Sequence, residues 1–157
     1  MTHNSRILRP FVHALPPLAL VMASAVTLAA GADAGKSASL GVRLELRNSN
    51  GQVGCLLYSQ ARGFPKDPGA ALQRKWCPIA SSASVCAFDP IPAGTYAVAC
   101  FHDENKNGKL DTGLFGIPTE GTAASNNAKG FMGPPAFDDA KFSFPGSPVE
   151  LRLGMRY

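Results

Sequence analysis

Apolar and polar residues alternate with period two through almost every ordered stretch of the chain. Leu40, Val42, Leu44 and Leu46 alternate with Gly41, Arg43, Glu45 and Arg47, the pattern of a strand with one buried and one wet face. Asn48-Ser49-Asn50-Gly51 carries the Asn-Gly signal of a tight hairpin, so Val53-Gly54-Cys55-Leu56-Leu57-Tyr58 is expected to return beside the first strand. Gly63, Pro65, Pro68 and Gly69 then break the alternation, and Asp67-Pro68 is a cap and first turn for a short helix through Ala70–Gln73. Strands resume over Trp76-Cys77-Pro78-Ile79, where Pro78 demands an edge position, and over Val85-Cys86-Ala87-Phe88. Pro90 to Gly94 turns the chain into Thr95–His102, which is apolar on both faces and therefore central.

Ala140–Phe144 and Pro148–Leu153 close the pattern. About seven strands and at most one short helix predict an all-β fold, an antiparallel sandwich. The exception is the segment from Asp103 to Asp139, with six glycines and three prolines in 37 residues and no sustained period. A loop of this length is usually functional or disordered. Its apolar residues Leu110, Leu114, Phe115, Ile117, Phe131, Met132 and Phe137 predict an ordered loop folded back on the sandwich.

The compartment changes how the remaining residues read. Arg6 and Arg9 precede an apolar stretch from Phe11 to Ala30, broken by Pro16-Pro17 and followed by small residues, which predicts a secretory signal peptide over 1–32 with cleavage after Ala32. The Pro-Pro pair argues against a membrane span. Removing the leader lowers Lys+Arg from 15 to 13 against 11 acids, a net charge of +2 on a single domain over 33–157. With basic residues scattered and only Arg74-Lys75 adjacent, nothing marks a nucleic-acid partner.

In a periplasmic or extracellular setting the four cysteines are expected as disulfides. Cys77 and Cys86 lie symmetrically about Ser81-Ser82, so a hairpin there pairs them and leaves Cys55 with Cys100. A zinc site is a poor alternative, because no C-x-x-C spacing exists and His102 is the one histidine after the leader.

Candidate chemistry concentrates in Phe101–Asp111. Asp103, Asn105 and Asn107 place oxygens on alternate residues before Gly108, the Lys109 carbonyl falls at the seventh position of the loop and Asp111 at the ninth, as in the first part of an EF-hand. Calcium takes six to eight hard oxygens at ~2.3–2.6 Å, which this spacing suits. The match is partial: Leu114 stands where the bidentate carboxylate belongs, and Glu120 replaces it only if the chain doubles back. The same residues also suit a plain turn, since asparagine adopts left-handed backbone angles and bonds its own backbone.

Enzymatic constellations are missing. His102 and Asp103 point to opposite faces of a strand, no G-x-S-x-G is present, and the disulfides leave no free thiol; a carboxylate pair such as Asp111 with Glu120 is the lesser alternative of a hydrolase, with one tryptophan to stack a sugar. His102 is read as a polar residue at a strand end. Trp76 is read as a packing aromatic, unless it stands exposed beside the loop, where it becomes a sugar platform. Ser125-Asn126-Asn127 is read as a tie for the long loop through side-chain-to-backbone bonds.

Five stretches in order carry a resemblance: Pro92–Ala97, His102–Asp111, Gly116–Glu120, Ser125–Asn127 and Gly133–Ala140. Together they resemble the small exported bacterial proteins grouped as domain of unknown function number 2141. That resemblance implies a compact sandwich similar to transthyretin-like and surface-adhesin repeat domains, and implies no established activity. The expectation is a non-catalytic exported module with a calcium loop and an unknown protein or glycan ligand. Its rival is a calcium-independent peptide- or glycan-binding module.

Overall fold

The computed structural model describes Met1 and residues 36–157; the expected leader and its cleavage after Ala32 fall outside those residues. The alternating pattern folds as read, into an antiparallel-rich sandwich of two sheets. One sheet contains β1 (Ser37–Glu45), β4 (Ile79–Ala80), β5 (Ala83–Pro92) and β9 (Val149–Gly154), in the order β4-β5-β1-β9. The other contains β2 (Gln52–Tyr58), β3 (Gln73–Cys77), β6 (Gly94–Asp103) and β7 (Thr122–Ala124), in the order β3-β2-β6-β7, with β8 (Phe142–Phe144) pairing β6 at residues 94–96. Leu40, Val42 and Leu44 from one sheet and Val53, Leu57 and Val98 from the other are fully buried between them. Among the described residues no helix is long and apolar enough to cross a membrane.

The strand count reaches nine for two reasons. Pro78 splits the expected Trp76–Ile79 strand into β3 and β4, which belong to different sheets, and the long segment contributes β7. Both split pieces are sheet edges, as a residue without an N–H requires.

Several local expectations are corrected. Asn48–Gly51 does not join a hairpin: β1 pairs with β5 and, in parallel, with β9, so both its edges are taken, and β2 lies in the opposite sheet. The turn instead carries the chain between sheets. Gly51 has φ 72°, and a Cβ there would overlap the Asp103 carbonyl oxygen, so the turn is pressed against the start of the long segment. The short helix is a 3-10 turn over Pro68–Ala70, with the Asp67 carboxylate accepting from the Gly69 N–H at 2.8 Å. Pro90 and Pro92 remain inside β5, and only Ala93 separates it from β6; the Tyr96 hydroxyl secures that corner by donating to the Pro92 carbonyl at 3.0 Å. Ala140 ends a short helix, α1 (Phe137–Ala140), rather than opening a strand.

The long segment is ordered, but by other anchors than its large apolar residues. Leu114, Phe115, Ile117, Phe131 and Met132 are exposed, Phe115 at 98 %. Phe137 does pack, against Phe64 at 5.7 Å in a T-shaped contact. The ties are polar. Buried Ser125 Oγ accepts from the Val98 N–H at 2.9 Å and donates to the Ala140 carbonyl at 2.6 Å. Asn126 Nδ2 donates to the Lys141 carbonyl, and Asn127 Oδ1 accepts from the Gly154 N–H, each at 2.8 Å. The expected role of Ser125-Asn126-Asn127 is therefore what the segment uses.

Both disulfides pair as predicted, with different mechanical roles. Cys55 and Cys100 are direct neighbours across β2 and β6, with Cα atoms 4.2 Å apart. Cys77 lies on β3 and Cys86 on β5, so their bridge ties one sheet to the other. The β4–β5 hairpin beside it turns at Ser81 and Ser82, both in the left-handed region.

Candidate functional site

The segment following β6 closes on itself through its own polar side chains. Asp103 is fully buried at the end of the strand. Its Oδ1 accepts from the Asn107 N–H at 2.9 Å, and its Oδ2 from the Gly108 N–H at 3.0 Å and from Gln52 Nε2 at 2.9 Å. An N–H pair on one carboxylate bends residues 103–108 into a tight turn, with Lys106 and Gly108 in left-handed conformations. Asn105 Oδ1 also takes the Asn107 N–H, at 3.1 Å, and Asn107 Oδ1 takes the Lys109 N–H at 3.0 Å.

Asp111 meets this turn from the other side. Its carboxylate accepts from Asn105 Nδ2 at 2.7 Å and from Asn107 Nδ2 at 2.8 Å. Asp103, Asn105, Asn107 and Asp111 are thus linked by hydrogen bonds within one loop. Glu120 also returns to it, because the chain doubles back through a small hairpin: the Thr119 N–H donates to the Asp111 carbonyl at 3.0 Å, and Thr112 bridges Pro118. The buried Glu120 carboxylate accepts from the Glu104 N–H at 2.8 Å and the Asp111 N–H at 2.9 Å, clamping both ends of the loop.

The donor set is two aspartates, two asparagine amides, the Glu120 carboxylate and main-chain carbonyls such as that of Lys109. Oxygen alone is a hard set, suited to calcium and unsuited to zinc or copper. Among the described residues no group of three or more His, Cys, Asp or Glu side chains has metal-holding geometry. As they stand, the Asn105 and Asn107 amides present nitrogen to the Asp111 carboxylate, while their oxygens accept from the Asn107 and Lys109 N–H groups.

A second polar network abuts the loop. His102 is fully buried; its Nε2 donates to the Asn50 carbonyl at 2.7 Å, so its Nδ1 accepts from the Tyr157 hydroxyl at 2.8 Å. That hydroxyl accepts from the Arg47 N–H at 3.1 Å, and the Arg47 guanidinium stacks 4.3 Å from the Tyr157 ring centre and contacts Glu104 Oε1 at 2.6 Å. Partial burial pushes the Tyr157 phenol above its ordinary pKa, against the Arg47 backbone bond that lowers it. Both nitrogens of His102 are spent on structure, consistent with its reading as a strand-end polar residue. Asp103 faces the other way, toward Gln52.

Sequence reasoning missed Gln52, Arg47, Glu104 and Tyr157. Gln52 pairs with Asp103 in the β2–β6 ladder, a relationship visible only once the register is known. It also missed a cleft of about 460 Å³ beside the loop, lined by Ser49, Gln52, Trp76, Ile79 and Lys106. Trp76 is 49 % exposed there, beside the loop rather than in the core.

No curated protein and no solved structure matches the chain. The model of one family covers residues 44–152, and with it β2 to β8, most of β9 and the whole loop from Asp103 to Glu120: the chain belongs to the family described as uncharacterized protein conserved in bacteria, DUF2141.

Proposed function

We propose that the protein is a non-catalytic, exported binding module, periplasmic or secreted, whose 103–111 loop with Glu120 is organised around a calcium ion. One observation supports this above others: Asp103, Asn105, Asn107 and Asp111 converge on a single turn that Glu120 closes from behind. Two disulfides support a setting outside the reducing cytoplasm. The non-catalytic reading is supported by how two carboxylates of the loop are used. Glu120 holds two main-chain N–H groups and Asp111 holds two amides, so neither is poised as an acid or base on a substrate. What the module binds, peptide or glycan, is decided by the cleft beside the loop.

The site is weak by composition, with a dissociation constant on the order of 10⁻⁴–10⁻³ M as in other extracellular modules. Calcium at ten times that value adds about 1.4 kcal/mol, a rise of about 5 °C in melting temperature. The test is a thermal melt in millimolar calcium against chelator, repeated on a variant carrying Asp103→Ala and Asp111→Ala. A rise in the parent that disappears in the variant is expected. Identical melts of the parent with and without calcium overturn the ion, and the loop is then a plain hydrogen-bonded turn.

A further inference from the structure

We propose that the cleft between Trp76 and Lys106 binds acidic carbohydrate, with a uronic-acid ring stacked on the indole and its carboxylate paired with Lys106. This rests on the reading of the protein as a binding module and is independent of the ion.

Trp76 is the one tryptophan of the chain and is half exposed on an edge strand, where an aromatic of that size ordinarily gains more by burial. It is nevertheless held. In the ladder it pairs with Gly54, which in turn pairs with Phe101, so the absent Gly54 side chain lets the two aromatics meet edge to face at 5.5 Å and 84°. A Cβ on Gly54 would lie 2.6 Å from the Phe101 ring and 2.9 Å from the indole. The platform is therefore oriented before any ligand arrives, which removes the ordering cost that a loose side chain would charge against binding.

The cleft chemistry around it is mixed. At about 460 Å³ it falls within the size range of small-ligand sites. Ser49 and Gln52 contribute hydroxyl and amide groups, Ile79 an apolar wall, and Lys106 a cation. Lys106 makes no ion pair with the described residues. The neighbouring Asp103 carboxylate is buried and saturated by Gln52, Asn107 and Gly108. The stacking surface of Trp76, the polar groups of Ser49 and Gln52 and the Lys106 cation together fit a hydroxyl-rich ring that carries a carboxylate.

A peptide added as a strand fits less well, because the β3 edge is already closed toward β5. Gln73 takes both main-chain groups of Asp89, donating to its carbonyl at 3.2 Å and accepting from its N–H at 2.9 Å, and Lys75 pairs with the Asp89 carboxylate at 2.7 Å.

Because Trp76 is the one indole, its fluorescence reads the cleft directly. Oligogalacturonate and the neutral cello-oligosaccharide of equal length are titrated into the folded protein in chelator, so that no calcium bridges the uronates. Saturable quenching by the uronate, weakened at least tenfold by Lys106→Glu and by 0.5 M salt, and at least tenfold weaker binding of the neutral chain, are expected. Calorimetry on Trp76→Ala, with its fold checked by circular dichroism, should show no binding. No saturable response to the uronate overturns the proposal, as does equal binding of the neutral chain or full binding by Trp76→Ala. A missing calcium melt shift leaves this titration intact, and a failed titration leaves the melt shift intact, so the two ideas fail separately.

Discussion

Trp76 and Phe101 face each other across Gly54, the one residue of their ladder row that offers no side chain between them. The contact pins an exposed indole on the outer surface of the β3-β2-β6-β7 sheet. Gly54→Ala should push both rings aside, lowering stability by about 1–3 kcal/mol through overpacking and shifting the tryptophan emission. Urea denaturation followed by that emission measures both; an unchanged midpoint and spectrum would show that the rings do not depend on the missing Cβ.

The two disulfides close loops of different length, with sequence separations of 9 and 45. In the chain-entropy model, Cys77→Ala with Cys86→Ala costs about 3 kcal/mol and Cys55→Ala with Cys100→Ala about 4 kcal/mol, both upper estimates. The first pair alone removes the bridge between sheets. Guanidinium melts of the two double variants rank them, and a larger loss from the shorter loop would mean that inter-sheet tethering outweighs loop entropy.

Glu120 acts as a clamp whether or not an ion is present, since its two oxygens hold the N–H groups of Glu104 and Asp111. Glu120→Gln replaces one acceptor with a donor facing a donor. A loss of about 1–3 kcal/mol is expected in chelator, with earlier proteolysis between Asn105 and Thr119. Unchanged protease resistance in chelator would rule out the clamp.

Tyr58 is fully buried and donates to the carbonyls of Pro65 and Asp67 at 3.2 and 3.1 Å. Burial first, then the Asp67 charge, raises its pKa from 10.0 to about 12, against a smaller lowering by Arg74. Between those values the unfolded phenol has lost its proton and the folded one keeps it. The Tyr58 contribution is therefore complete below pH 10 and is lost as pH climbs toward 12. Chemical denaturation at pH 9, 10 and 11 should show a stability gap between parent and Tyr58→Phe that narrows with pH; a constant gap would contradict the raised pKa.

Leu114, Phe115 and Ile117 stand in solvent at the tip of the small hairpin. Serine at any one of these positions should change stability by no more than about 0.5 kcal/mol. Thermal melts check it, and a fall of several degrees would restore the expectation that these residues anchor the segment.

Much of the fold was legible from the period-two pattern, because side-chain alternation follows from strand geometry alone. It located β1, β2, β5, β6 and β9 to within a few residues and identified β6 as central. The cysteine pairing was legible because the symmetry about Ser81-Ser82 is local, and the turn from Asp103 to Asp111 because the bonds within it join residues at most six apart, whereas its ties to Gln52 and Glu120 are longer in range. Ser125-Asn126-Asn127 could be identified as a tie from its residue types.

What the chain pattern left open was partnership at long range. An Asn-Gly turn is the same local object whether the next strand pairs beside the last or crosses to another sheet, so only the packed structure sends β2 away from β1 and sets β9 parallel to it. Apolar residues in a loop look like anchors until burial is known. Leu114 and Phe115 are left in water because Ser125, Asn126, Asn127 and Glu120 already hold the segment through hydrogen bonds to main chain. Alternation and turn chemistry are properties of neighbours along the chain, and the sequence by itself determined those. The meeting of Gln52 with Asp103, of His102 with Tyr157, and of Trp76 with Lys106 around one cleft depends on which strands share an edge, and only the tertiary structure decided that.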